Sequence, residues 1–147
     1  MRPKITVEAG AFIALSCYLL LMPFGWVVSA LIAGAVHELG HCTAIWLLDG
    51  RVYEIRIGPS GARIETEPLG NRETLFCALA GPVAGGLLCL FMRWVPQLGV
   101  CALVQTVFNL LPVYPFDGGR AVMALVGIWK DKAVAKSADS VYNKSDR

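Results

Sequence analysis

Charge is scarce in this chain. Only 16% of its 147 residues are Asp, Glu, Lys or Arg, against 56% hydrophobic, and the mean hydropathy is +0.58. That balance excludes a disordered chain and is too apolar for an ordinary water-soluble domain. A basic stripe is also missing: 13 Lys and Arg stand against 11 Asp and Glu, scattered along the chain. With no aromatic ladder to track a phosphate backbone, nucleic acid is excluded as a partner. The C-x-x-C spacing is absent, and Cys17, Cys42, Cys77, Cys89 and Cys101 all fall in apolar stretches. They read as small buried hydrophobes, not as a disulfide framework or an all-cysteine zinc site. No internal repeat occurs, and there are only two histidines.

What the chain has is long apolar stretches, to be measured against the roughly 20 residues that cross about 30 Å of hydrocarbon as a helix. Ala9 to Phe24 is short for this and has a basic start without a small-residue cleavage pattern, which predicts a retained anchor over a removable signal peptide. Trp26 to Leu48 is the clearest span, with His37, Glu38 and His41 as its only ionisable residues. Thr74 to Met92 and Val95 to Phe116 follow, the last broken near its end by Pro112 and Pro115. With the N-terminus inside, twelve of the 13 Lys and Arg fall on the cytoplasmic side and only Arg93 outside. Between the second and third stretches the period changes to two: Val52, Glu54 and Arg56 alternate with Tyr53, Ile55 and Ile57. Alternation resumes after Gly58, Pro59, Ser60 and Gly61, which predicts a hairpin over 51–67. The expected fold is an all-α polytopic membrane protein of about four transmembrane helices, with a small cytoplasmic β-hairpin between the second and third. Residues 1–129 form the membrane-embedded core, and 130–147 a polar cytoplasmic tail, mobile or loosely helical at the membrane surface.

The chemistry lies in the second span, where His37-Glu38-Leu39-Gly40-His41 forms an H-E-x-x-H sequence. Positions i and i+4 share a helix face, so both imidazoles can reach one tetrahedral ion while Glu38, about 100° round, stands beside it as a base. Ionisable groups near mid-bilayer cost about 2.5 to 3.5 kcal/mol each, so His37, Glu38, His41 and Asp117 left unpaired would cost on the order of 10 kcal/mol. A zinc ion bound with roughly 10 kcal/mol or more offsets that. A hydrolytic zinc usually takes three protein ligands and leaves one position for water. Glu65 or Glu67 of the hairpin is one source of the third ligand. Asp117 is the better placed, because it follows the proline-broken end of the fourth stretch. That stretch and the second both run from outside to inside, bringing His41 and Asp117 into the same half of the bilayer. Two imidazoles, a carboxylate and redox-free hydrolysis favour zinc over other divalent ions. The small residues Gly34, Gly40, Gly81, Gly85 and Gly86 read as close-packing positions, and Arg120 as a topology anchor.

These two motifs, H-E-x-x-H in one span and Asn109-x-x-Pro112-x-x-Pro115-x-Asp117-Gly118 in a later one, resemble the signatures of the site-2 proteases, intramembrane zinc metalloproteases. The resemblance runs from about Val27 to Val122 and includes the Ala80-Gly81-Pro82 element. It is most similar to the compact sporulation-type branch without a PDZ domain. It implies one zinc ion per chain held by His37, His41 and Asp117, with Glu38 as the catalytic acid/base and Asn109 assisting at the substrate backbone or developing oxyanion. It further implies a membrane protein or peptide as substrate within the lipid bilayer, cleaved in regulated intramembrane proteolysis, a regulatory membrane subunit as a candidate partner, and a bacterial cell membrane as the location. The competing reading is a metal-binding membrane protein without hydrolytic activity, a transporter or a pseudoprotease. Transporters usually carry repeated halves or paired broken helices, whereas only the fourth stretch here is clearly broken.

Overall fold

The computed structural model describes residues 3–59 and 61–145, with 137–145 described by backbone alone. Arg2, Ser60 and Arg147, which the topology count and the hairpin turn both use, lie outside the described residues. In chain order the elements are β1 (Lys4–Val7), α1 (Ala9–Leu21), α2 (Phe24–Leu47), β2 (Val52–Gly58), β3 (Gly61–Thr66), α3 (Asn71–Leu88), a short 3-10 turn (Cys89–Arg93), α4 (Pro96–Asn109) and α5 (Asp117–Ser145).

Helices α2 and α3, the latter with its 3-10 extension, are the two long and apolar enough to cross a membrane among the described residues. Helix α1, at 13 residues, spans about 20 Å at 1.5 Å per residue and is too short by that measure. Helix starts follow their local chemistry. Glu73 reaches back to accept a hydrogen bond from the Gly70 backbone at 2.8 Å, capping α3, and Pro96 opens α4 at a position whose N–H is not needed.

The interior is made of small residues. Ala33, Ala44, Ala78, Ala102, Ala121 and Ala124 are buried, whereas Leu20 and Trp129 are 85% and 77% exposed. Small residues inside and large apolar ones outside let helix backbones approach closely and leave a surface suited to hydrocarbon. The tightest approach is at Gly40, where a Cβ would stand 2.6 Å from the Ala80 carbonyl oxygen of α3.

The hairpin is present, as β2 and β3 in antiparallel register with Ile55 opposite Ile64. It is not alone: β1 pairs in parallel with β2, Ile5 opposite Ile55, so the sheet has three strands in the order β1-β2-β3. The chain is mostly helical as expected, and the small sheet has one strand more than the expected hairpin. Ile5 and Val7 look from sequence like the start of the first apolar stretch, but they alternate with polar Lys4 and Thr6. A parallel neighbour needs a crossover, and α1 with α2 supplies it. Thr6 Oγ1 donates to Glu54 Oε1 at 2.6 Å, and the Glu8 N–H donates to the Ile57 carbonyl at 2.9 Å. The bond from Thr6, with Arg56 beside it, holds the Glu54 carboxyl below its usual range. The inner face of the hairpin, with Val52 and Ile64, packs on Ala44 and Ile45 of α2 and Cys77 of α3.

The fourth apolar stretch breaks at its prolines, as expected, but the chain then resumes as a helix. It divides into α4 and a linker over 110–116, and α5 then begins at Asp117. Asp117 therefore opens a helix where an end was expected. The apolar run from Ala121 to Trp129, too short to count as a span by itself, forms the first turns of α5 against α3. Asn71 Nδ2 ties the two helices by donating to Asp131 Oδ2 at 2.9 Å. Helix α5 passes position 130 without a break, since no proline or glycine follows Gly127 to interrupt it.

Candidate metal centre

Two features of the chain build the site. Helix α2 carries His37 and His41 on one face, and both are buried, 4% and 7% exposed. The linker delivers Asp117, also 7% exposed, to the same place. Linker geometry depends on the two glycines that follow. A Cβ at Gly118 would stand 2.6 Å from the Leu111 carbonyl oxygen, and one at Gly119 would stand 2.5 Å from the Val113 carbonyl carbon. Glycine alone lets the linker backbone fold this closely over the first turn of α5.

The result is a triangle of three side-chain atoms. His37 Nε2 and His41 Nε2 lie 3.0 and 3.1 Å from Asp117 Oδ2, and 3.2 Å from each other. The Nδ1–H of His41 donates to the Cys77 carbonyl at 2.8 Å, which fixes the ring orientation and turns Nε2 toward the cluster. One proton can be shared between only two of three atoms arranged this way, whereas a cation can be shared by all three. Ligands on a tetrahedral zinc, at bond lengths of about 2.0 to 2.1 Å, stand about 3.3 to 3.4 Å apart, close to the edges seen here. Two imidazoles and a carboxylate form a hydrolytic donor set, and the three residues lie close enough to bind one ion.

Gly81 of α3 completes the surroundings. A Cβ there would overlap His41 Nε2 and come within 2.8 Å of His37 Nε2. Its missing side chain leaves open the space that both imidazoles face. Glu38 is half-buried on the adjacent part of α2, and Asn109 is half-buried as the last residue of α4. None of the hydrogen bonds within the triangle involves Asn109. Glu65 and Glu67 do not join the cluster: Glu65 faces Arg56 at 3.4 Å, and Glu67 accepts from Tyr53 at 2.9 Å.

Three contributors were not legible as part of the site. The Cys77 carbonyl is a backbone group and carries no side-chain signature. Gly81 reads from sequence as a packing residue, yet it faces the imidazoles. Arg120 reads as a topology anchor, yet its Nη1 lies 3.7 Å from Asp117 Oδ1 one turn away.

This arrangement, an H-E-x-x-H helix closed by an aspartate after a double-proline linker within a small-residue helical core, is that of a site-2 protease fold. Among solved structures the chain is similar to the site-2 protease from Methanocaldococcus jannaschii, with a TM-score of 0.71, 21% identity, and coverage of 83% of this chain and 66% of that one. Among curated proteins it is 27% identical to stage IV sporulation protein FB of Bacillus subtilis, over 70% of this chain and 46% of that protein. The chain thus spans less than half the length of this curated relative. No family model matches it. The expected resemblance is met twice: in fold by the site-2 protease structure, and in sequence by the sporulation protein.

Proposed function

We propose that the chain is an intramembrane zinc metalloendopeptidase, hydrolysing a peptide bond in or near a transmembrane segment of a membrane protein. The observation that carries this reading is the convergence of His37, His41 and Asp117 on one point with Glu38 beside them. Those three side chains would hold the ion, which when bound supplies Lewis-acid polarisation of a carbonyl and lowers the pKa of water. Glu38, on the turn between the two histidines, accepts the proton of the attacking water and returns it to the leaving amine. Asn109, at the linker end of α4, offers its carboxamide to the substrate backbone or to the oxyanion. The Cys77 carbonyl keeps the His41 ring in the tautomer that a ligand needs.

A helix hides its own carbonyls, so a transmembrane substrate must be extended before it is cut. Strand β2 is covered on both sides, and β3 has one free edge to which an extended segment can add. The inner face of the hairpin packs one turn beyond His41, so a segment paired along β3 runs beside the site. Four apolar segments cross the bilayer in this reading: α2, α3, α4 with the first half of α5, and α1, whose roughly 20 Å of helix is lengthened by extended Glu8, Met22 and Pro23 at its ends. Both termini are cytoplasmic in this reading, by the distribution of Lys and Arg, and the similarity to a Bacillus subtilis protein supports a bacterial cell membrane.

The test is Glu38→Gln beside wild type, purified in detergent, with metal content and cleavage of a membrane substrate measured on the same samples. Bound zinc with abolished cleavage is expected. Undiminished cleavage removes Glu38 from its role, and zinc binding with no cleavage by wild type moves the chain to the non-hydrolytic reading.

A further inference from the structure

The triangle leaves one ring atom without a partner. His37 Nδ1 is fully buried and makes no hydrogen bond, unlike Nδ1 of His41. A second buried polar atom in the same state is Thr106 Oγ1 of α4. Both lie beside Gly85 of α3: a Cβ built there would stand 2.5 Å from Thr106 Oγ1 and 3.8 Å from His37 Nδ1, so the two atoms are at most about 6.3 Å apart and the Thr106 hydroxyl occupies the space that a side chain at 85 would take. Two buried polar groups this close together and both without a partner are costly to leave unpaired. A water with hydrogen bonds of about 2.8 Å spans up to roughly 5.6 Å between two such partners.

We propose that Thr106, whose hydroxyl is admitted beside His37 because residue 85 is glycine, is the positioning residue for His37, accepting its Nδ1–H through one water held between the two atoms. His37 Nδ1–H donates to the water, and the water donates to Thr106 Oγ1. This link fixes the His37 tautomer with the Nε2 lone pair toward Asp117, as the Cys77 carbonyl does for His41. The two imidazoles are thus oriented from two different helices, α3 for His41 and α4 for His37. The proposal rests on the reading of the triangle as a metal site.

Zinc affinity, measured by competition with a chromophoric chelator on purified protein, tests it with Thr106→Val and Thr106→Ser beside wild type. Removal of a partner of this kind weakens metal binding by about 10 to 100-fold. Thr106→Val, nearly the same shape without the hydroxyl, is expected to show that loss, and Thr106→Ser to restore binding to near the wild-type value. Thermal unfolding of the metal-free proteins separates this from a packing role: Thr106→Val should be as stable as wild type or more so, because it deletes an unsatisfied buried hydroxyl. Wild-type affinity in Thr106→Val overturns the proposal, as does an equal loss in both variants or a loss that follows reduced stability of the metal-free protein. Failure of wild type itself to bind zinc overturns the metal-site reading instead.

Discussion

Replacing Gly81 by alanine adds one methyl group at the point both imidazoles face, and the structure sets the size of the consequence. The new Cβ would overlap His41 Nε2, stand 2.5 Å from His41 Cε1 and 2.8 Å from His37 Nε2. Since ordinary Cβ contacts begin near 3.4 Å, His37 alone must move by about 0.6 Å, in an interior packed like a crystal. Metal ligands tolerate about 0.2 Å. Helix α3 cannot retreat to relieve the clash without breaking its close contact with Gly40. A loss in zinc affinity of at least about 100-fold is expected, or about 2.8 kcal/mol. Gly86, five residues on in the same helix, supplies the control, because a Cβ there meets nothing within 4 Å. Gly86→Ala should bind zinc like wild type and be stabilised by roughly 0.5 to 1 kcal/mol through helix propensity. Chelator competition on the two variants decides the matter: a Gly81→Ala protein that binds zinc as tightly as wild type refutes the assignment of this space to the ion.

Asp117→Asn should lower zinc content from one ion per chain toward none while leaving the helical circular dichroism signal unchanged, with elemental analysis as the measurement. Prolines scanned across Ala62 to Thr66 should divide by strand alternation: where the N–H points to β2 the sheet breaks, and where it points to the free edge cleavage weakens at constant zinc content. A scan in which every position loses zinc would make the hairpin purely structural. For the strand pair β1 and β2, the Glu54 carboxylate is held low by Thr6 and Arg56, so the folded state binds its proton less readily than the unfolded chain. That contribution is present above the usual carboxylate value of 4.5 and fades as pH falls through the lowered one. Amide exchange at Ile5 and Val7 should accelerate over this range, and Thr6→Val should reduce that pH dependence by removing the main cause of the lowered value.

The histidine pair was legible because helix geometry alone puts positions i and i+4 on one face, and the linker aspartate because a carboxylate after two prolines has few partners in an apolar chain. The hairpin was legible from the change of period after Asp49. Strand β1 was not, since four residues that border a long apolar run carry too little alternation to separate from it. The first half of α5 was obscured by its Gly118-Gly119 start and by Arg120, which together look like the end of a membrane stretch, although those glycines admit the linker and that arginine leans toward Asp117. The roles of the Cys77 carbonyl and of Gly81 depend on which helix packs where, and no local pattern reports that. The edges available to an added strand were likewise set by tertiary pairing, because β1 covers one side of β2 and becomes the second edge of the sheet beside β3.

Helix α5 begins at a metal-ligand candidate, and Asp131, fourteen residues later, is clasped to Asn71. At 1.5 Å per residue this makes a strut about 21 Å long, packed along α3 and clasped near its far end by that amide. The placement of Asp117 therefore depends on how α5 seats along α3, which ties the geometry of the cluster to a pair of residues that touch none of its atoms.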